Sequence, residues 1–126
     1  MRYILIAVLA MCLFSTAQAA SLTTVTMVAN GVSGSVCFRG AMANPVAGGE
    51  IEQFCTGANG AASVRLPGWV TYRIKEDVPA GYAVNRVECV GAAKYRTDGP
   101  GATINVQDSD VTCTFKHVRK GARQGG

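Results

Sequence analysis

Residues Tyr72-Arg73-Ile74-Lys75-Glu76-Asp77-Val78-Pro79-Ala80-Gly81-Tyr82 decide the fold. From Trp69 to Glu76 the residues alternate with period two. Trp69, Thr71, Arg73 and Lys75 share one face of an extended strand, and Val70, Tyr72, Ile74 and Glu76 share the other. Pro79-Ala80-Gly81 interrupts the alternation with turn chemistry, and a second strand runs from Tyr82 to Val90. An acid, Glu76, falls on the face that carries the apolar residues.

The same rhythm extends in both directions. Leu22–Val28 is rich in β-branched residues, and Asn30-Gly31 and Ser33-Gly34 supply turn residues. Ser35–Arg39 and Ile51–Cys55 read as short strands, separated by a loop over Ala41–Gly49 that contains Asn44-Pro45. Asn59-Gly60 marks a tight turn before Ala62–Leu66. Gly91–Gly101 reads as a second long loop, ending in the turn Asp98-Gly99-Pro100-Gly101. Thr103–Val106 and Val111–Phe115 read as the closing pair. No window beyond the N-terminal leader holds helical periodicity. Seven to eight short strands with regular turns predict an all-β sandwich or small barrel.

Arg2, the apolar run Ile4–Phe14 and Ala17-Gln18-Ala19 form a secretory leader over residues 1–20, with cleavage expected near Ala19 or Ala20. The run is too short for an ordinary transmembrane helix. Cys12 follows Met11, where a lipidation signal wants a small residue. The domain is expected over residues 21–118, and a flexible basic tail over 119–126. The leader carries only Arg2 of the twelve Lys/Arg and none of the eight Asp/Glu, so the exported chain has a net charge of +3. That mild charge concentrates in Lys116, Arg119, Lys120 and Arg123, a run suited to an acidic surface or to plain solvation. No aromatic residues interleave with it, so a nucleic-acid partner is not expected.

Four of the five cysteines, Cys37, Cys55, Cys89 and Cys113, follow the leader. An even number in an exported chain predicts two disulfides, with three possible pairings. Their spacing, with a single histidine, does not fit a zinc site, and neither a metal nor a cofactor is expected.

Tyr72, Ile74, Glu76, Pro79, Gly81 and Tyr82 together form a Tyr-x-Ile-x-Glu…Pro-x-Gly-Tyr pattern. It resembles the E-box of prealbumin-like (SpaA/Cna-B-type) β-sandwich domains of bacterial surface proteins and pilins. The resemblance covers most of the exported chain. Val25–Phe38 is similar to the first hairpin of those domains. Val87–Gly91 with Val111–Phe115 resembles a cysteine-bearing branch, in which the last two core strands carry one cysteine each. The resemblance implies a disulfide-stapled, prealbumin-like or Ig-like sandwich in a secreted structural or adhesive module. Such a module would bind a cell-surface or envelope component, or itself. The family often joins a lysine of the first strand to an asparagine of the last through a buried acid. Here Met27 falls where the lysine would sit and His117 where the asparagine would, so no such bond is expected. Disulfides Cys37–Cys55 and Cys89–Cys113 are expected to staple the domain instead.

Other chemistry is thinly represented. His117 is the sole histidine, no Gly-x-Ser-x-Gly elbow exists, and the exported cysteines are expected in disulfides. An enzyme is therefore not expected; one would have to use His117 or the Asp108/Asp110 pair. Asp108-Ser109-Asp110 with Asn105 lacks the ligand order of a calcium loop and reads as a solvated turn. Glu76 is expected to be partly buried and bonded to a loop. Tyr72, Tyr82 and Phe115 are expected in the core. Trp69 is expected there too, its sharper reading being an exposed anchor for a partner. A second functional reading is a secreted inhibitor or effector that presents the Ala41–Gly49 and Gly91–Gly101 loops to one protein partner.

Overall fold

A computed structural model describes residues 22–43 and 49–121. The leader, Ser21, the central part of the Ala41–Gly49 loop, and Arg123 with the rest of the chain beyond Gly121 lie outside the described residues. Nine strands alternate with turns: β1 (Leu22–Asn30), β2 (Cys37–Met42), β3 (Glu50–Cys55), β4 (Ala61–Pro67), β5 (Val70–Asp77), β6 (Tyr82–Val90), β7 (Lys94–Asp98), β8 (Gly101–Val106) and β9 (Val111–Arg119). They form a four-stranded sheet, β4-β1-β9-β6, packed on a five-stranded sheet, β3-β2-β5-β8-β7. All neighbours are antiparallel except β1 and β9, which run parallel with Met27 level with Cys113.

Alternation sets which residues meet between the sheets. On β5, Tyr72, Ile74 and Glu76 are buried while Arg73, Lys75 and Asp77 face solvent. On β9, Val111, Cys113, Phe115 and His117 are buried in the same period of two. Val25 and Met27 of β1, Phe38 of β2 and Ile104 and Val106 of β8 complete the apolar centre. The Phe38 ring meets the Phe115 ring edge-on at 5.2 Å, joining the two sheets through the core. The Tyr72 hydroxyl donates to the Pro67 carbonyl at 2.6 Å, so its polar end is satisfied while its ring is buried.

The β5–β6 turn carries the chain from one sheet to the other. Tyr82 N donates to Pro79 O at 3.2 Å, and Gly81 takes φ +87°, where a Cβ would be strained. The carbonyl of Gly81 then accepts from Lys120 N at 2.8 Å, fastening the turn to the end of β9.

Four expectations need correction. The Gly91–Gly101 segment contains strand β7, which pairs along β8. All five β7 residues are exposed, so none of the usual buried alternation marks it. Strand β9 runs on to Arg119, so this first residue of the expected tail belongs to the sheet. Tyr82 is only half-buried, because it begins β6 at the rim of the sandwich. Trp69 is 68% exposed. It lies in the β4–β5 turn with φ +62°. Gly68 before it passes so close to the Gln107 carbonyl that a Cβ there would lie 2.1 Å from the oxygen. The chain at this crossing turns the indole outward.

Candidate functional site

The most unusual side-chain arrangement joins the two sheets. Glu76 on β5 and His117 on β9 meet with Oε2 and Nε2 2.5 Å apart. Neither side chain is exposed at all. The pair sits beside the Phe38–Phe115 contact. Phe38 is level with Glu76 in the β2–β5 ladder, and Phe115 lies two residues before His117. Tyr82 closes the rim, its ring edge-on to the imidazole at 6.5 Å. Arg119 lies 5.8 Å over the Tyr82 ring.

Hydrogen bonding fixes one proton of the imidazole. His117 Nδ1 is 2.8 Å from the Asn30 carbonyl oxygen. A carbonyl only accepts, so Nδ1 carries a proton and donates it. Burial raises the Glu76 carboxyl above the ordinary carboxylate range, against the smaller lowering effect of its bond to His117. The other oxygen, Oε1, is buried with no partner among the described residues. An orphaned oxygen is less costly on a neutral carboxyl than on a carboxylate. Glu76 Oε2 and His117 Nε2 are joined by one hydrogen bond. The chain runs from Glu76 Oε2 through His117 Nε2 to His117 Nδ1–H and the Asn30 carbonyl. It ties β5 to β9 and β9 to the end of β1.

This corrects one expectation. Glu76 is fully buried, and its carboxyl is held by an imidazole across the sandwich rather than by a loop; only its backbone N–H reaches a turn, donating to Pro100 O at 2.9 Å. His117 faces the core, although Lys116, Arg119 and Lys120 surround it in sequence. The signal that finds it is the register Val111, Cys113, Phe115, His117, which extends the buried face of β9 by one more step. Met27 is buried and level with Cys113, whereas Asn30 is level with Lys116. The two positions matched to the family's lysine and asparagine are therefore not opposite one another.

Both expected disulfides are present, Cys37–Cys55 and Cys89–Cys113. Each links residues directly opposite in an antiparallel pair. The second lies in the core, whereas Cys55 is exposed. The disulfides point to an oxidising, extracytoplasmic compartment. No described helix is long and apolar enough to cross a membrane.

The remaining sequence candidates are dispersed. Lys116 reaches Glu88 at 3.6 Å on the outer face of the four-stranded sheet. Lys120 follows the end of β9. Asp108, Ser109 and Asp110 form the exposed β8–β9 turn, where Asp110 Oδ1 accepts from Thr24 N at 3.0 Å. No three of the described His, Cys, Asp and Glu residues converge as metal ligands.

The feature that sequence reasoning missed is the outer face of the five-stranded sheet. A groove of about 820 Å³ crosses it. Two smaller hollows adjoin it, and Arg96 and Thr103 line all three. The signal was present in the alternation Arg73, Lys75 on β5, but its partners lie on the unrecognised β7. No protein-family model and no curated protein matches this chain.

Proposed function

We propose that this chain is an exported, non-enzymatic structural or adhesive module. It would act at a cell surface or envelope, or by joining copies of itself. We further propose that its sandwich is of the prealbumin-like kind. Supporting that fold reading is the order of parts, with the E-box turn bridging the sheets, Glu76 inside, and cysteines in the last two core strands.

One observation carries the functional reading. The chain's only histidine and a buried acid, Glu76, are locked together behind the protein's surface, with neither side chain open to a substrate. General acid–base work needs a group within hydrogen-bond reach of the substrate. A sealed pair instead specifies how two sheets align. The interactive surface is then the exterior of the sandwich: the groove on the five-stranded sheet, the exposed Trp69 and the sheet edges.

The test is a binding and size measurement on natively secreted, unreduced protein. Light scattering with negative-stain imaging reads assembly, and sedimentation with cell-envelope fragments reads adhesion. Regular oligomers or co-sedimentation support the proposal. A monomer that binds no envelope material, yet forms a 1:1 complex with one soluble protein, would replace it with the inhibitor reading.

A further inference from the structure

Strands β5, β8 and β7 lie side by side, and their register defines the outer surface row by row. Arg73 pairs with Thr103, and Thr103 with Arg96. In the next row Thr71 pairs with Asn105, and Asn105 with Lys94. Lys75 pairs with Gly101 in the row on the other side. Adjacent strands are about 4.8 Å apart, so the cation-bearing strands β5 and β7 flank β8 at roughly twice that spacing. Short polar residues floor the trough over β8; Arg73 and Lys75 wall it on β5 and Lys94 and Arg96 on β7, with Asp98 level with Gly101 at the end of the Lys75 row.

The charges are unevenly matched. Arg73 shares Asp98 at 3.4 Å, and Arg39 pairs with Asp77 at 2.8 Å. Lys75, Lys94 and Arg96 have no carboxylate within ion-pair distance among the described residues. The acids Glu50 and Glu52 stand on β3, at the opposite edge of the sheet. A polyanion is repelled from the β3 side and attracted to the β5–β8–β7 side.

We infer that this trough binds an acidic polysaccharide, lying along β8 with carboxylate or sulfate groups against Lys75, Arg96 and Lys94. The hydroxyl of Thr103 and the Thr71–Asn105 pair, whose amide donates to the Thr71 hydroxyl at 2.9 Å, face the sugar hydroxyls. A polymer fits better than a single small anion, because every cation here is exposed and weak alone, and repetition supplies the affinity. Tyr95, exposed between Lys94 and Arg96, lines the adjoining hollow and offers a ring face to a sugar or a base. Single-stranded DNA is therefore the competing polyanion in the test, while the short hydroxyl and amide floor favours sugar hydroxyls. This inference rests on the reading of the chain as a surface-binding module and names its partner class.

The experiment uses the unreduced exported protein and immobilised heparin and polyuronate as probes, with neutral dextran and single-stranded DNA as comparisons. The paired substitution Lys94→Gln and Arg96→Gln touches exposed edge residues outside the core. A second variant, Arg65→Gln with Arg86→Gln, removes the same charge from exposed positions on the four-stranded sheet. The expected result is salt-sensitive retention on at least one acidic polysaccharide and none on dextran. The trough variant should bind about tenfold more weakly, the loss of two exposed ion pairs, and the control variant should match wild type. Equal losses in both variants would reduce the effect to net charge and overturn the inference. So would tighter binding to single-stranded DNA, or no retention on either acidic probe. Adhesion to envelope fragments without polysaccharide binding would overturn this inference while leaving the adhesive reading intact.

Discussion

Among the described residues, replacing His117 with alanine removes the only side chain that bonds the Glu76 carboxyl. The substitution deletes the 2.5 Å contact to Glu76 and the 2.8 Å contact to Asn30. It leaves both Glu76 oxygens buried without partners and a ring-sized void beside Phe115. Breaking one side of a buried polar pair and leaving a cavity costs about 3–5 kcal/mol together. Against a total stability of about 5–15 kcal/mol for a typical domain, that is a large share. Glu76→Gln should be much milder, about 1 kcal/mol, because an amide of the same shape keeps a hydrogen-bonding group against Nε2 whichever atom donates. The double change Glu76→Leu with His117→Phe should recover most of the alanine loss, since both polar groups leave together. Urea unfolding of the unreduced proteins, with midpoints compared at constant slope, measures all three. A His117→Ala loss below about 1 kcal/mol would refute the reasoning. An apolar double variant as unstable as the alanine variant would refute it equally.

Further outcomes follow from the same geometry. Burial raises the folded carboxyl of Glu76, so its contribution is complete below the ordinary carboxylate range and is lost as pH rises through the raised value. Relative to Glu76→Gln, wild type should therefore lose stability as pH climbs from the mid-fours, and a difference that grows in wild type's favour would contradict this assignment. The exposed Cys37–Cys55 bridge should open first under mild reductant, with Cys89–Cys113 resisting until the sandwich unfolds, as read by alkylation and peptide mass. The bridges span separations of 18 and 24 residues, so removing either should cost about 3 kcal/mol in the chain-entropy view. Trp69→Gly should change stability by no more than about 1 kcal/mol, because relief of the left-handed backbone offsets the added chain freedom. A loss of about 3–5 kcal/mol, the cost of deleting a core aromatic, would place the indole inside after all.

Much of the sandwich was legible because most strands are one-sided. Alternation on β5 fixed its two faces residue by residue, and Asn59-Gly60 and Pro79-Ala80-Gly81 marked turns that the structure contains. The rest was hidden for particular physical reasons. Strand β7 buries no side chain, so only its backbone pairing with β8 makes it a strand. His117 stands among cations in sequence, yet alternate residues of a strand point to opposite faces, and that parity turns it inward beside Phe115. Trp69 shares the outward face of Arg73 and Lys75 in the alternation, and the core expectation set that parity aside for the residue's size; β5 begins one residue later, at Val70, and the indole stays in solvent. The trough of Arg73, Lys75, Lys94 and Arg96 could not be assembled before β7 was known to lie across β8 from β5.

The account turns on the claim that Glu76 and His117 are sealed structural partners rather than a reachable acid–base pair. Because the chain has one histidine, its reactivity can be read without ambiguity. Treatment of the native protein with diethyl pyrocarbonate, followed by mass analysis of the peptide containing His117, tests the claim directly. The account predicts no modification of His117 in the folded protein and rapid modification once urea unfolds it. Prompt modification under native conditions would contradict it, because it would show an imidazole open to solvent and available for catalysis.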